Sequence, residues 1–262
     1  MEVLVLPTAH DVDARAADVV ADQVSRRPDT VLGVATGSSP LGTYRELAHR
    51  QAHGLLDLTR LTCFALDEYV GLPAGHPAGY AAVLERELAL PFGLPPSRVR
   101  VPDGSRGDLE AACRDHEEAV ARAGGIDLQI LGIGANGHIG FNEPGSSLSS
   151  RTRIKALSAR TRADNARFFD DPDDVPTHCV TQGLGTILDA RRVLLVVQGE
   201  RKAAAVAAAV EGPVSAMCPA SVLQFHRAVT VVADEAAASR LALTDYYRFV
   251  AEAGHRLPRE EE

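Results

Sequence analysis

The sequence predicts one α/β domain over residues 1–262, with a doubly wound, mainly parallel sheet and helices on both faces, Rossmann-like in layout. Three observations carry this. Short apolar, β-branched runs such as Thr30-Val-Leu-Gly-Val-Ala35 read as strands covered on both sides. Between them lie segments with apolar residues at helical spacing, such as Val12, Ala16, Val19, Val20 and Val24. Polar, glycine-containing stretches follow the strands, where sheets of this kind place their ligands.

In chain order, Val3 to Leu6 is a short strand and Asp11 caps the first helix, which ends before Pro28. The run from Thr30 breaks into Thr36-Gly-Ser-Ser-Pro40, and a helix follows from about Leu41 to His53. Leu61 to Leu66 is a buried strand ending at Asp67-Glu68-Tyr69. A Gly/Pro-rich loop leads to a helix over Tyr80 to Leu88, and Val99 to Val101 forms a short strand. Asp108 to Ala123 is amphipathic and stops at Gly124-Gly125. Leu128 to Leu131 is the next strand, Thr152 to Leu157 another with outward charges, and Arg162 to Phe169 a helix. Val180 to Ile187 reads as a short helix or turn and Val193 to Val197 as a core strand. Lys202 to Val210 is an Ala-rich helix and Ala228 to Val232 the last strand. A closing helix runs from Asp234 to Phe249, and residues 256–262 are expected to fray.

The bulk properties narrow the function. A net charge of −8 argues against nucleic acid, whose phosphate backbone needs a basic face. The start lacks a basic, apolar leader, and no apolar run approaches the roughly 18 residues of a membrane span, so a cytoplasmic protein without membrane contact is expected. Cys63, Cys113, Cys179 and Cys218 are scattered, as core thiols would be, with no pairing that suggests zinc or a disulfide framework. One stretch runs against the acidic balance. Arg151, Arg153, Lys155, Arg160, Arg162 and Arg167 face only Asp164, which suits a small anion or a neighbouring subunit.

Four polar stretches leave strand ends and converge on one edge of the sheet. Thr36, Gly37, Ser38 and Ser39 open a helix with free N–H groups and hydroxyls, a ready phosphate site. The stretch is neither a Walker A loop nor a dinucleotide fingerprint, and no cofactor is expected. Lys202, opening another helix, and Arg167 supply cations for a phosphate. Asp67, straight after an apolar strand, is placed to be a base with a raised pKa. The richest stretch is Leu131 to Gly145, where glycines thread past Asn136, His138, Asn142 and Glu143. His138 and Glu143 suit an imidazole–carboxylate pair; their spacing is not that of a zinc protease, and no metal is expected. Two acid–base groups and a phosphate seat suit proton shuffling beside a carbonyl, or hydrolysis of a sugar lactone.

Asp67-Glu-Tyr-Val-Gly-Leu-Pro73, Gly137-His-Ile-Gly-Phe-Asn-Glu-Pro144, Ser149-Ser-Arg-Thr-Arg-Ile-Lys155, Ala166-Arg-Phe-Phe169 and Ala209-Val-Glu-Gly212 together resemble the glucosamine-6-phosphate deaminase family. The likeness runs from the first strand to about Asp245. It implies conversion of glucosamine 6-phosphate and water to fructose 6-phosphate and ammonia, in amino-sugar catabolism. His138 would accept a proton in ring opening, assisted by Glu143 and Asn136, and Asp67 would remove the C2 proton. Thr36, Gly37, Ser38, Ser39, Arg167 and Lys202 would hold the phosphate.

The chain departs from the family pattern twice. Some members carry Asp where this chain has Asn136, and an amide can orient a partner but cannot take up its proton. Some members are hexamers activated by N-acetylglucosamine 6-phosphate, through residues matching Ser146, Ser147, Arg153 and Lys155. Ala156 stands where those have Thr, which leaves both the effector and homo-oligomerisation open. Two rivals stand beside the deaminase: a 6-phosphogluconolactonase-like hydrolase, which needs no C2 base, and a non-catalytic sugar-phosphate sensor.

Overall fold

The computed structural model describes residues 1–254. The expected fraying of residues 256–262 lies outside the described residues. The chain opens with β1 (Glu2–Leu6), α1 (Ala9–Arg26), β2 (Val31–Val34) and α2 (Ser38–Ala52). Next come β3 (Thr62–Ala65), β4 (Asp67–Tyr69) and α3 (Tyr80–Leu84), which continues through a π turn (Glu85–Ala89) into α4 (Leu90–Phe92). Then follow β5 (Val99–Arg100), α5 (Leu109–Arg122), β6 (Leu128–Leu131), β7 (Arg153–Ala156), α6 (Ala159–Asn165), β8 (His178–Thr181) and α7 (Leu184–Leu188). The last elements are β9 (Arg192–Val197), α8 (Ala203–Val210), β10 (Val229–Asp234), α9 (Glu235–Ala238) and α10 (Thr244–Gly254).

Seven strands pair in the order β1-β10-β9-β6-β2-β3-β5, every pair parallel. Strand residues alternate between two apolar layers. Val193, Leu195 and Val197 face α5, α7 and α8, packing with Val120, Ile187 and Val206. Leu194 and Val196 face α1 and α2, packing with Val20, Tyr44 and Leu47. Burial on both faces explains why these strands are apolar runs rather than alternating sequences.

Several expectations need correction. Residues 178–181 form a strand, not the start of a helix or turn, and only Leu184–Leu188 is helical. β8 pairs antiparallel with β4 and β7 in a second sheet, order β4-β8-β7. Asp67 therefore begins a new strand one residue after β3 ends, instead of ending the old one. The small sheet packs Tyr69, Phe141, Leu157 and Cys179 into its own apolar cluster. The expected helix from Arg162 starts earlier, at Ala159, and tightens to a 3-10 turn at Ala166–Phe168. Thr8 rather than Asp11 is the first cap; Asp11 sits three residues on and returns the bond to the Thr8 amide. The closing helix breaks in two after Asp234 caps α9.

Opposite the strand exits, a buried carboxylate holds the strand entries together. Asp127 accepts the Val31 amide at 2.8 Å and pairs with Arg27 and Arg191, each also at 2.8 Å. Deleting it leaves a buried N–H without a partner. We expect Asp127→Ala to lower the unfolding free energy by about 2–4 kcal/mol in urea titration. A loss under about 0.5 kcal/mol, the range of an ordinary surface change, would contradict this.

Candidate active site

The expected stretches converge in part around the ends of β2, β3, β6 and β9. Asp67 is buried, and its Oδ2 lies 3.4 Å from where a side chain on Gly140 would begin. The backbone of the glycine-rich loop thus passes directly over the carboxyl. Burial raises the Asp67 pKa to about 8, and the adjacent Glu68 adds to the rise; hydrogen bonds from the Phe141 amide and the Thr181 hydroxyl pull the other way without cancelling it. Glu68 points elsewhere, as expected of the next residue in a strand. It accepts the amides of Tyr69, Tyr80 and Ala81 at 2.8–2.9 Å and so anchors the start of α3.

Residues 134–143 form a compact turn. The Gly134 amide donates to the His138 carbonyl at 2.8 Å, and the Gly137 amide to the Gly134 carbonyl at 2.9 Å. A Cβ on Gly134 would stand 2.3 Å from the His138 ring, so glycine is what lets the imidazole lie over the backbone there. Asn142 fastens the turn to β8, donating to the Ile139 and Gln182 carbonyls at 3.0 and 2.8 Å.

His138, Asn136 and Glu143 come together. Asn136 donates Nδ2 to Glu143 Oε2 at 2.7 Å and accepts the His138 amide at 3.2 Å. His138 Nδ1 is buried without a hydrogen-bond partner and lies 3.8 Å from Glu143 Oε2. That is longer than a hydrogen bond; such catalytic contacts commonly tighten when substrate arrives. The other Glu143 oxygen, Oε1, accepts from Ser158 at 3.0 Å and from Thr161. Burial works against the Glu143 charge, but the His138 imidazole and the donors Thr161 and Asn136 outweigh it and bring its pKa down to about 2. Glu143 is therefore a fixed negative charge near neutrality. Such a charge can orient the imidazole but holds no proton to give.

At the exit of β2, Gly37 caps α2 with φ +92° and no side chain bonds the first-turn amides. The N–H groups of Ser38 and Ser39 stand at a helix N-terminus, and Ser39 lies against Gly132 at the exit of β6. Thr36 shares a hydrogen bond with the Tyr80 hydroxyl. Lys202 is half-buried; burial lowers its pKa, Asp164 opposes that, and Arg167 and Arg160 reinforce it. Lys202 thus feels both arginines of the α6 segment. Among the described residues, none of the three forms an ion pair with a carboxylate within 4.0 Å.

The basic stretch is not one face. Arg151 is held by Glu117 and Asp189, each at 2.5 Å, and belongs to the framework. Arg162 donates to the Val175 carbonyl at 3.3 Å. The residues matched to an effector site are placed differently again: Ser146 Oγ and Arg153 Nη2 are buried without partners, Ser147 bonds Ser149 at 3.3 Å, and Lys155 is half-buried on β7. Sequence reasoning missed Ser158, Thr161 and Thr181. Ser158-x-x-Thr161 is legible as a helix cap, but its contact with Glu143 is a tertiary one.

A family model for glucosamine-6-phosphate isomerases/6-phosphogluconolactonase matches residues 7–232. The chain belongs to this family. Within the glucosamine-6-phosphate isomerase/6-phosphogluconolactonase family, it is 58% identical over 248 residues to a glucosamine-6-phosphate deaminase of Arthrobacter sp. (strain FB24), covering 95% of each chain. A solved monomeric glucosamine-6-phosphate deaminase superposes with a TM-score of 0.89 at 43% identity, over 92% of this chain and all of that one. A 6-phosphogluconolactonase of Trypanosoma cruzi reaches a TM-score of 0.75 at 18% identity, over 92% of this chain and 97% of that one. At that identity the likeness is one of fold.

Proposed function

We propose that this chain is a glucosamine-6-phosphate deaminase, converting glucosamine 6-phosphate and water to fructose 6-phosphate and ammonia. The carrying observation is Asp67: a buried carboxyl with a raised pKa, lying under the same glycine-rich loop that carries a separate His138–Glu143 pair. Lactone hydrolysis has no use for a C2 base, and neither does a sensor. The 58% and 43% identities to deaminases support the same reading.

The phosphate rests on the amides and hydroxyls of Thr36, Gly37, Ser38 and Ser39, with Lys202 and Arg167 as counter-charges. That end anchors the sugar, and the chemistry occurs at the other. His138 takes the anomeric hydroxyl proton and returns it to the ring oxygen as the C1–O5 bond breaks, and the pyranose opens to the aldehyde. Glu143, ionised throughout, stabilises the imidazolium. Asp67 then removes the C2 proton to give an enolamine, and the proton returns at C1. The resulting imine adds water and releases ammonia. The substrate helps to prepare its own base: its 2-ammonium group lies next to C2, and a cation beside Asp67 favours the carboxylate.

Asn136 gives the His138–Glu143 pair a neutral neighbour. Asn136→Asp would set two carboxylates 2.7 Å apart, and they would share a proton. We expect less than about a tenfold change in kcat near neutrality, since Glu143 keeps its hydroxyl donors. A thousand-fold loss in a steady-state assay would show that the amide itself is required.

The proposed place of action is the cytoplasm, where phosphorylated sugars are retained; no described helix is long and apolar enough to cross a membrane. An effector pocket for N-acetylglucosamine 6-phosphate at Ser146, Ser147, Arg153 and Lys155 is a further part of the proposal, supported by the unpartnered Ser146 and Arg153 atoms. The solved relative at 43% identity is monomeric, which favours a monomer over a homo-oligomer here as well. The deciding assay is ammonia release from glucosamine 6-phosphate by the purified protein and by Asp67→Asn. Release by the first and not the second supports the reading. Tight binding of the sugar phosphate without ammonia from either would replace it with the sensor.

A further inference from the structure

The Glu143 carboxylate is gripped from two directions. Asn136, from its own loop, holds Oε2, while Ser158 and Thr161, from the start of α6, hold Oε1. Thr161 is 3% exposed; its hydroxyl donates to Glu143 and accepts from Ser158 Oγ at 3.0 Å. The cap of α6 is a separate bond: Ser158 Oγ accepts the Thr161 main-chain amide at 3.1 Å. The main-chain capping bond of α6 therefore does not use the Thr161 hydroxyl. The same short segment carries Arg160 and, in the 3-10 turn that follows, Arg167, both near enough to Lys202 to affect its charge.

We infer that Ser158 and Thr161 are positioning residues for ring opening: their hydroxyls seat Glu143 beside His138 and tie it to the segment that bears Arg160 and Arg167. This rests on the deaminase reading and adds to it a link between phosphate seat and proton device. A carboxylate held by Asn136 alone is free to rotate about its last side-chain bond. With Oε1 fixed by two hydroxyls, Oε2 stays turned toward His138 Nδ1. Because the donors sit on α6, any shift of that segment is passed to the carboxylate. The arginine that meets the phosphate, Arg167, then helps set the geometry of the imidazole.

Thr161→Val tests this, since it removes the hydroxyl and keeps the volume, the branching and the capping amide. We expect kcat for ammonia release to fall about 10- to 100-fold, the cost of one hydrogen bond to a charged group. KM and competitive inhibition by inorganic phosphate should stay within about twofold, because the cations are untouched. Thr161→Ser should restore kcat to within about threefold of wild type. Unchanged kcat in Thr161→Val would overturn the inference, and so would an equal loss in Thr161→Ser or a parallel loss of phosphate inhibition. If Thr161→Val does not fold, Thr161→Ala gives the same comparison with the Ser158 cap intact, a fall of about 10- to 100-fold being expected and no change again overturning the inference. Absence of ammonia release by the wild-type protein would instead overturn the deaminase reading.

Discussion

Asp67→Asn should lose about 10²–10⁴-fold in ammonia release, yet be more stable than the wild-type protein at pH 8. Both effects come from burying the carboxyl. Its pKa rises from 3.8 to about 8, so the folded chain keeps a proton that the unfolded chain has already released. For a group raised on folding, the stabilising contribution is complete below the unfolded value and lost as pH rises through the folded value. The wild-type protein therefore loses stability steadily between about pH 4 and pH 8, and the amide variant does not. Thermal unfolding of the two proteins at pH 5 and pH 8.5 should show the variant's advantage growing with pH. An advantage that does not change with pH would mean that Asp67 is ionised in the folded state throughout. Catalysis has the opposite sign: kcat/KM of the wild-type protein should climb toward pH 8 as the base form appears.

Lys202→Met should cut kcat/KM for glucosamine 6-phosphate by about 30- to 1,000-fold, because it removes a half-buried charge from the phosphate seat. Competitive inhibition by inorganic phosphate should weaken in step. Slow turnover of unphosphorylated glucosamine should be unchanged, which separates loss of the anchor from damage to the chemistry. The lysine sits where burial penalises its charge and where Arg167 and Arg160 repel it, although Asp164 offsets part of this. The variant is therefore expected to be at least as stable as the wild-type protein. A fall of less than about threefold would place the phosphate elsewhere.

The parallel sheet was legible because its strands are doubly buried and so read as apolar runs. The candidate acid–base residues stood out because they follow those runs or lie on one glycine-rich path. The second sheet was not. His178-Cys-Val-Thr181 is four residues long, too short to separate a strand from a helical turn by periodicity, and its partners lie about a hundred residues away at β4 and only in space at β7. Charge counting likewise gave the 151–167 stretch one role. The fold divides it, with Arg151 locked to Glu117 and Asp189 while Arg160 and Arg167 stay near Lys202. Glu143 illustrates the same limit. Its position was readable from the motif, but the hydroxyls of Ser158 and Thr161 that hold its carboxylate are not connected to it by local sequence.

The way β4 begins sets a rule for how chain length can vary. Leu66 alone separates β3 from β4, and in β4 Asp67 stands opposite Thr181 while Glu68, on the other face, anchors α3. Two adjacent acids of nearly equal chemistry thus hold unrelated posts, assigned only by strand parity. Deleting or inserting one residue at the joint before Asp67 would exchange them and turn Asp67 toward the helix that Glu68 anchors. Length changes in natural or engineered descendants of this chain should therefore collect in the exposed loops at 71–77 and 170–174, and leave the joint between the two sheets at constant length.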